Sequence, residues 1–171
     1  MPDQQTVQTE TIDSIEDAGD RAEQYRVALA SIKSLCEGET DQIAMMATIA
    51  CELHHTMPGF DWVGFYRAVG NEILKIGPYQ GGHGCLVIPY NRGVCGACAR
   101  TGETQIVDDV DAFPGHIACS SNTRSEIVLP VRNAQGELIA VLDIDSDSPA
   151  HFSTEDATAL ETMLAEAFSG R

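Results

Sequence analysis

The stretch that decides the fold class covers residues 126–145 and reads EIVLPVRNAQGELIAVLDID. Apolar and β-branched residues fill residues 126–132 and 137–143, and such short runs between turn residues are typical of strands. Residues 133–136 (NAQG) have the composition of a tight turn. The stretch therefore predicts a hairpin of two antiparallel strands.

The segments on either side of this hairpin predict further strands and several helices. Apolar residues recur at helical spacing near both ends of the chain, and short strand-like runs fill the middle. Few connections are long enough for helical crossovers, which disfavours a parallel Rossmann-type sheet. We expect an α+β fold with a mostly antiparallel central sheet of about six strands, and with N-terminal and C-terminal helices packed on one face. The predicted helices cover residues 21–36, 41–57 and 153–168, and the other strands cover 62–69, 71–76, 86–89 and 104–107.

Composition and charge limit the partners. The chain has 171 residues with 43% hydrophobic and 21% charged side chains, which is globular usage. Its formal net charge of −16 has the wrong sign for a protein whose main partner is nucleic acid or an anionic membrane. A small cationic or zwitterionic ligand remains compatible with this charge.

The chain is predicted to consist of an N-terminal tail and one domain. Residues 1–20 contain six acids and no base, and we interpret them as a mobile acidic tail. Residues 21–171 form a single domain. The chain shows neither a signal peptide nor a stretch of transmembrane length, so we expect a cytoplasmic protein whose thiols are kept reduced.

Two cysteine-bearing segments in the middle of the chain mark the candidate site. Residues 77–102 are rich in glycine and contain Cys85, Cys95 and Cys98, and residues 108–126 contain Cys119. Asp143 and Asp145 are two positions apart, so they lie on the same face of a strand end. Glu126 begins the neighbouring strand of the hairpin. These three carboxyl groups are therefore expected to converge near the thiols.

Five strings of the chain carry a resemblance to a known family. They are WVGFY (62–66), RGVCG (92–96), FPGHIAC (113–119), RSEI (124–127) and VLDIDS (141–146). Together they resemble the free methionine-(R)-sulfoxide reductases, which are stand-alone proteins of the GAF fold. The strings span nearly the whole body of the chain, and five in order are a specific match. The resemblance implies a GAF-like fold and a thiol-dependent reductase of free methionine sulfoxide.

The resemblance also implies roles for individual cysteines. A cysteine at the position of Cys119 attacks the sulfoxide sulfur and becomes a sulfenic acid. Cys85 then condenses with it to a disulfide, which thioredoxin reduces. Cys95 matches a family position and is expected to act as an alternative resolving or assisting thiol.

The same resemblance places the substrate. Trp62 and Tyr66 are expected to form an apolar wall for the substrate methyl group. Glu126, Asp143 and Asp145 are expected to hold its ammonium and sulfoxide oxygen. Carboxylates this close to a cysteine raise its pKa, which opposes formation of the thiolate. A carboxylic acid kept protonated by its neighbours is the expected proton donor.

Several alternatives stay open at this point. Cys95 and Cys98 form a CxxC pair, but its spacing to the other cysteines and histidines fits no common zinc site, so we expect neither a metal nor a cofactor. Cys36 and Cys51 are interpreted as buried fillers of helices. A GAF-type sensor of a small molecule or of redox state, acting through a partner protein, is the alternative function. The oligomeric state is left open between a monomer and a homodimer.

Overall fold

A computed structural model describes residues 4–117 and 119–170, with side chains from residue 20 onward. No helix in this part of the chain is long and apolar enough to cross a membrane. A 3₁₀ turn (Val110–Ala112) and a π-helical turn (Ala165–Ser169) accompany the main elements. The helices are α1 (Gln4–Leu35), α2 (Gln42–Thr56), α3 (Gly93–Thr101) and α4 (Thr154–Leu164), and the strands are β1 (Trp62–Ala68), β2 (Ile73–Gln80), β3 (Val87–Pro89), β4 (Gln105–Val107), β5 (Ser125–Arg132) and β6 (Leu138–Ser146).

The six strands form one sheet in the order β3-β2-β1-β6-β5-β4, and each neighbouring pair is antiparallel. The predicted hairpin is present as β5 and β6, whose turn is closed by the Asn133 N–H donating to the carbonyl of Glu137 over 3.0 Å. The α+β class and the antiparallel six-stranded sheet are therefore confirmed.

The two faces of the sheet carry different partners. On one face, strand residues such as Phe65, Leu129 and Leu142 are fully buried with the apolar sides of α1, α2 and α4. This arrangement confirms that N-terminal and C-terminal helices pack on one face. On the opposite face, Tyr66 and Val128 pack in a second, smaller core with α3.

Helix α3 was not predicted, because the sequence was interpreted as a glycine-rich loop over residues 77–102. Gly96 hides the helical pattern, yet it is what lets the helix approach β3. A Cβ atom at Gly96 would lie 2.7 Å from the carbonyl oxygen of Pro89, so a larger side chain would push the helix away. Cys95 and Cys98 therefore lie on a helix rather than in a loop.

The N-terminal segment departs from the prediction in one respect. The first helix was expected to begin at Arg21, whereas its backbone begins at Gln4. The acidic tail was assigned to residues 1–20, and residues 1–3 together with the side chains of residues 4–19 lie outside the described part. The division of the chain at residue 20 stays a prediction.

The two helical cysteines differ in burial. Cys36 is buried in the core as expected. Cys51 is only half-buried on α2, with its Sγ 3.7 Å from Nδ1 of His55. The prediction that Cys51 fills the core is wrong, because helical spacing places it at the edge of the buried stripe.

One buried carboxylate fastens α1 to the rest of the domain. Oδ1 of Asp156 accepts hydrogen bonds from Arg21 Nε and from the Tyr25 hydroxyl, both over 2.7 Å. Its Oδ2 accepts the backbone N–H of Ser153 over 2.7 Å, which caps α4. Burial opposes ionisation of Asp156, but these hydrogen bonds prevail and hold its pKa below the usual value.

We expect Asp156→Asn to destabilise the protein by about 3 kcal/mol, because the amide removes the negative charge beside Arg21 and leaves one acceptor oxygen in place of two. Tyr25→Phe removes one donor and should cost about 1 kcal/mol. Urea unfolding at pH 7 measures both. Glu155→Gln, at the exposed neighbouring position, is the control and should change stability much less. An Asp156→Asn variant as stable as the wild type would contradict this anchoring role.

Candidate active site

Three adjacent strands bring the predicted polar residues onto one face. Asp145 on β6 lies opposite Trp62 on β1 and opposite Glu126 on β5. Asp143 lies opposite Gly64 on β1, one pleat further along the strand. Because alternate residues of a strand point to the same side, these side chains share the face that α3 covers. The expectation that Asp143 and Asp145 lie on one face is confirmed by this register.

Trp62 is held over the sheet by a glycine and two tyrosines. A Cβ atom at Gly64 would overlap the indole and would lie 2.6 Å from Cβ of Tyr79, so only glycine leaves room for the ring. The indole stacks on Tyr66 and on Tyr79, with centroid distances of 5.9 and 5.5 Å. Its Nε1–H donates to the carbonyl of Gly82 over 3.0 Å. This packing gives the site a fixed aromatic wall.

The carboxyl groups lie beneath this wall. Glu126 is 5% exposed and Asp143 is 6% exposed, whereas Asp145 is half-buried. Oδ1 of Asp143 is buried and has no hydrogen-bond partner in the described part of the protein. A buried acceptor without a partner is costly, so this oxygen favours a ligand that brings a donor.

Burial and mutual repulsion raise the pKa values of these three acids. Burial raises the pKa of Asp143 to about 6, although hydrogen bonds from Cys95 and Glu126 lower it. Burial, with the charges of Asp143 and Asp145, holds the pKa of Glu126 well above its usual range. The pKa of Asp145 is raised by burial and by Asp143. The site can therefore hold protons at neutral pH.

Helix α3 presents two free thiols to this cluster. Burial raises the pKa of Cys95 strongly, and Asp143 and Glu126 raise it further. Burial and Asp143 raise the pKa of Cys98 to about 12. Both side chains therefore remain neutral thiols at neutral pH, and Cys98 acts as a buried filler of the second core.

Cys85 and Cys119 form a disulfide across the mouth of the site, with their Cα atoms 5.4 Å apart. Cys85 lies between β2 and β3, and Cys119 lies between the 3₁₀ turn and β5. The hydroxyl of Tyr66 is hydrogen-bonded to the backbone of Cys85, which ties the first of these loops to the sheet. The pairing is the one that the resemblance implied.

The disulfide, the carboxyl groups and the aromatic wall line one pocket. Seven of the eight predicted site residues line it, and the eighth, Cys85, is bonded to the lining residue Cys119. The predicted residues in the lining are Trp62, Tyr66, Cys95, Cys119, Glu126, Asp143 and Asp145.

Several lining residues are not among the eight predicted site residues. Nε2 of His116 lies 3.7 Å from Oε2 of Glu126, and burial lowers the histidine pKa, which favours a neutral ring. His83 and Thr123 also line the pocket, and Thr123 carries no sequence signal. Arg124, which begins the string RSEI, is exposed and does not line the described pocket.

Three lining groups are close enough to share a cation. The ligand atoms of Cys95, Glu126 and Asp143 lie within 4.8 Å of one another. Since burial holds the pKa of all three above the ordinary values, a metal would have to displace protons from each. The expectation of a metal-free site stays a prediction.

Comparisons with known proteins identify the family of this chain. Residues 41–170 match the GAF domain family. The free methionine-R-sulfoxide reductase of Escherichia coli is 36% identical over 146 residues, which cover 85% of this chain and 87% of that protein. Protein YtsP of Bacillus subtilis is 41% identical over 157 residues, covering 87% of this chain and 96% of that protein.

A solved structure extends the comparison. The free methionine-R-sulfoxide reductase of Neisseria meningitidis, in complex with its substrate, superposes with a TM-score of 0.79 at 44% identity. The match covers 85% of this chain and 86% of that one. This chain therefore belongs to the GAF domain family, among whose similar members are proteins named free methionine-R-sulfoxide reductase.

Proposed function

We propose that this protein reduces free L-methionine-(R)-sulfoxide to methionine, with thiols as the source of electrons. One observation carries the proposal: the Cys85–Cys119 disulfide lies at a pocket that also contains the buried carboxyl groups of Glu126 and Asp143. Sulfoxide reduction needs both parts, a thiol pair that can be oxidised and an acid that protonates the sulfoxide oxygen. Relatives that carry the reductase name support the same chemistry.

In the first step the thiolate of Cys119 attacks the sulfur of the sulfoxide. The sulfoxide oxygen is transferred to Cys119 as a sulfenic acid, and methionine leaves with its sulfur reduced by two electrons. The oxygen needs a proton as its bond to the substrate sulfur breaks. Glu126 is the donor, since burial and the neighbouring acids hold its pKa well above its usual range, whereas Asp143, with a pKa of about 6, is mostly ionised at pH 7.

In the second step Cys85 attacks the sulfenic acid of Cys119. A disulfide forms, and the sulfenic oxygen leaves as water. Cys95 is free in the disulfide form and its pKa is raised, so it is a poor nucleophile there. We assign Cys95 the role of assisting Asp143 through their hydrogen bond, while Cys85 resolves the sulfenic acid.

The carboxyl cluster also explains recognition of the free amino acid. The unpartnered Oδ1 of Asp143 accepts a hydrogen bond from a donor on the ligand, and an ammonium is the strongest donor an amino acid offers. No lysine or arginine is present among the described residues that line the pocket. The substrate ammonium therefore supplies the positive charge that the cluster lacks, while the Trp62 ring packs on the methyl group.

The proposal predicts strict selection for the free R-epimer. NADPH consumption in a coupled assay with thioredoxin and thioredoxin reductase should show turnover of free methionine-(R)-sulfoxide and none of the free S-epimer. N-acetylation removes the ammonium and should lower kcat/KM by a factor on the order of 10⁴, because the buried carboxyl groups are left unpaired.

The methyl ester of the substrate is the matched control, since it keeps the ammonium and removes only the carboxylate charge. It should retain much more activity than the N-acetyl compound. Equal kcat/KM values for the free and N-acetylated substrates would refute recognition through the carboxyl cluster. Tight binding of the sulfoxide without any turnover would instead favour a GAF-type sensor.

Single-turnover experiments separate the two cysteines. Cys119→Ser should release no methionine, because attack on the substrate is lost. Cys85→Ser should release about one methionine per protein and then stop in the thioredoxin assay, since attack precedes resolution. Cys98→Ser, on the same helix as Cys95 but outside the pocket lining, is the control and should turn over normally. Sustained turnover by Cys119→Ser would overturn the assignment of the nucleophile.

Because the pKa of Asp143 is raised, the contribution of this residue to the free energy of unfolding falls as the pH rises. Its folded-state pKa of about 6 exceeds the ordinary value of 3.8, so its protonation favours folding below pH 4 and this contribution is lost through pH 6. At pH 7 the Asp143→Asn variant of the oxidised protein should therefore exceed the wild type in stability by an amount on the order of 2 kcal/mol. Denaturant unfolding between pH 4 and pH 7 measures the difference.

Asp156→Asn is the control for this pH dependence. The pKa of Asp156 is lowered, so its stabilisation is complete above pH 5 and its loss should be the same at pH 5 and pH 7. A stability difference between Asp143→Asn and the wild type that does not change with pH would show that Asp143 is ionised throughout this range.

A further inference from the structure

The edge of the sheet next to Cys85 exposes apolar side chains. Leu86 is 73% exposed and Val87 is 49% exposed, and both directly follow the disulfide cysteine. Strand β3, which contains Val87, is the edge strand and pairs only with β2. Natural proteins rarely leave apolar edge strands uncovered, since such edges attract other chains. We refer to Leu86 and Val87 as the β3 edge.

The backbone of the β3 edge is also available. Toward β2, the carbonyl of Leu86 accepts the N–H of Ile76, and the N–H of Tyr90 donates to the carbonyl of Glu72. Successive residues of an antiparallel strand point their backbone groups in opposite directions, and Leu86 faces β2, so the N–H and C=O of Val87 face the open side. An extended segment of another protein can therefore pair with them.

The stretch of chain around the β3 edge is basic, although the protein as a whole is strongly negative. Residues 67–102 contain four of the ten bases and only one of the 26 acids. Lys75 lies directly opposite Val87 in the β2–β3 register. Arg92 and Arg100 flank the same region at the two ends of α3, and Arg100 donates to the carbonyl of Tyr90. A partner that docks here is expected to carry acidic groups around an apolar contact.

We propose that the β3 edge is the docking surface for an acidic dithiol protein that reduces the Cys85–Cys119 disulfide. This inference depends on the proposed function, because only a catalytic cycle requires the disulfide to be reduced repeatedly. The electron source is the partner's pair of thiols. Leu86 and Val87 supply the apolar contact, and the free backbone of Val87 aligns the partner segment beside Cys85.

The position of the surface determines which sulfur is attacked. A thiolate of the partner attacks Sγ of Cys85 and forms a mixed disulfide, while Cys119 leaves as a thiolate. The partner's second thiol then attacks its own sulfur in the mixed disulfide and releases Cys85. Two electrons pass to the protein, two thiols form on it, and the partner keeps the disulfide. Cys119 is followed instead by the exposed polar residues Ser120, Ser121 and Asn122, which offer no apolar contact.

The test compares two reductants on the same variants. Leu86→Gln should lower kcat/KM for thioredoxin about tenfold, as expected for loss of an apolar contact at the centre of an interface. Turnover supported by dithiothreitol should stay within about twofold, since a small dithiol needs no docking surface. Ile106→Gln, on the opposite edge strand β4 and 37% exposed, is the matched control and should change neither activity.

Charge is tested separately. Lys75→Glu should lower the thioredoxin rate and make it less sensitive to salt, because it removes an attraction that steers association. Lys33→Glu, on α1 and remote from the β3 edge, is its control. A thioredoxin whose second cysteine is replaced by serine traps the mixed disulfide, and peptide mapping by mass spectrometry should find it on Cys85.

The outcomes distinguish this inference from the function on which it depends. If the wild type turns over with neither reductant, the proposed function fails. If it turns over with both and Leu86→Gln keeps its thioredoxin rate, the docking surface is wrong. A mixed disulfide trapped on Cys119 overturns it as well. A wild-type dimer that Leu86→Gln dissociates, with an unchanged thioredoxin rate, would assign the β3 edge to a second copy of this chain.

Discussion

The arrangement of the site depends on one register, in which β6 lies between β1 and β5. Asp145 faces Trp62 on one side and Glu126 on the other, so a single antiparallel ladder assembles the aromatic wall and the acids. A shift by one residue would turn every one of these side chains to the opposite face, where apolar residues such as Leu142 and Ile144 are fully buried. The large core against α1, α2 and α4 therefore fixes the chemistry on the other face, because its burial selects the register.

Burying two carboxyl groups and half-burying a third on one sheet face has an electrostatic cost, and burial therefore raises the pKa of each of them. The same cost makes the Cys95 thiol harder to ionise, because that side chain lies within the cluster. Cys85 and Cys119 lie on loops at the mouth of the pocket, whereas the acids lie on the paired strands β5 and β6.

The sequence predicted the sheet well because alternation and turn composition are local signals. The hairpin of β5 and β6 and the shared face of Asp143 and Asp145 follow from residues close together in the chain. Helix α3 was missed because Gly96, which permits close packing on β3, also weakens the helical pattern. His116 and Thr123 join the pocket only through the loop between the 3₁₀ turn and β5, and contacts of this kind carry no periodic signal. The disulfide pairing came from resemblance, since spacing alone leaves several partners open.

Both cysteines of the disulfide lie on loops, and this placement separates the part of the site that changes in the proposed cycle from the part that does not. Cys85 lies between β2 and β3, and Cys119 lies between the 3₁₀ turn and β5. The acids and Trp62 lie instead on the paired strands β1, β5 and β6, whose register the larger core selects. Breaking and re-forming the disulfide therefore changes a covalent link between two loops, while the ladder that holds the acids keeps its hydrogen bonds. The β3 edge directly follows Cys85 and is exposed in the disulfide form, which is the form that a reductant has to meet.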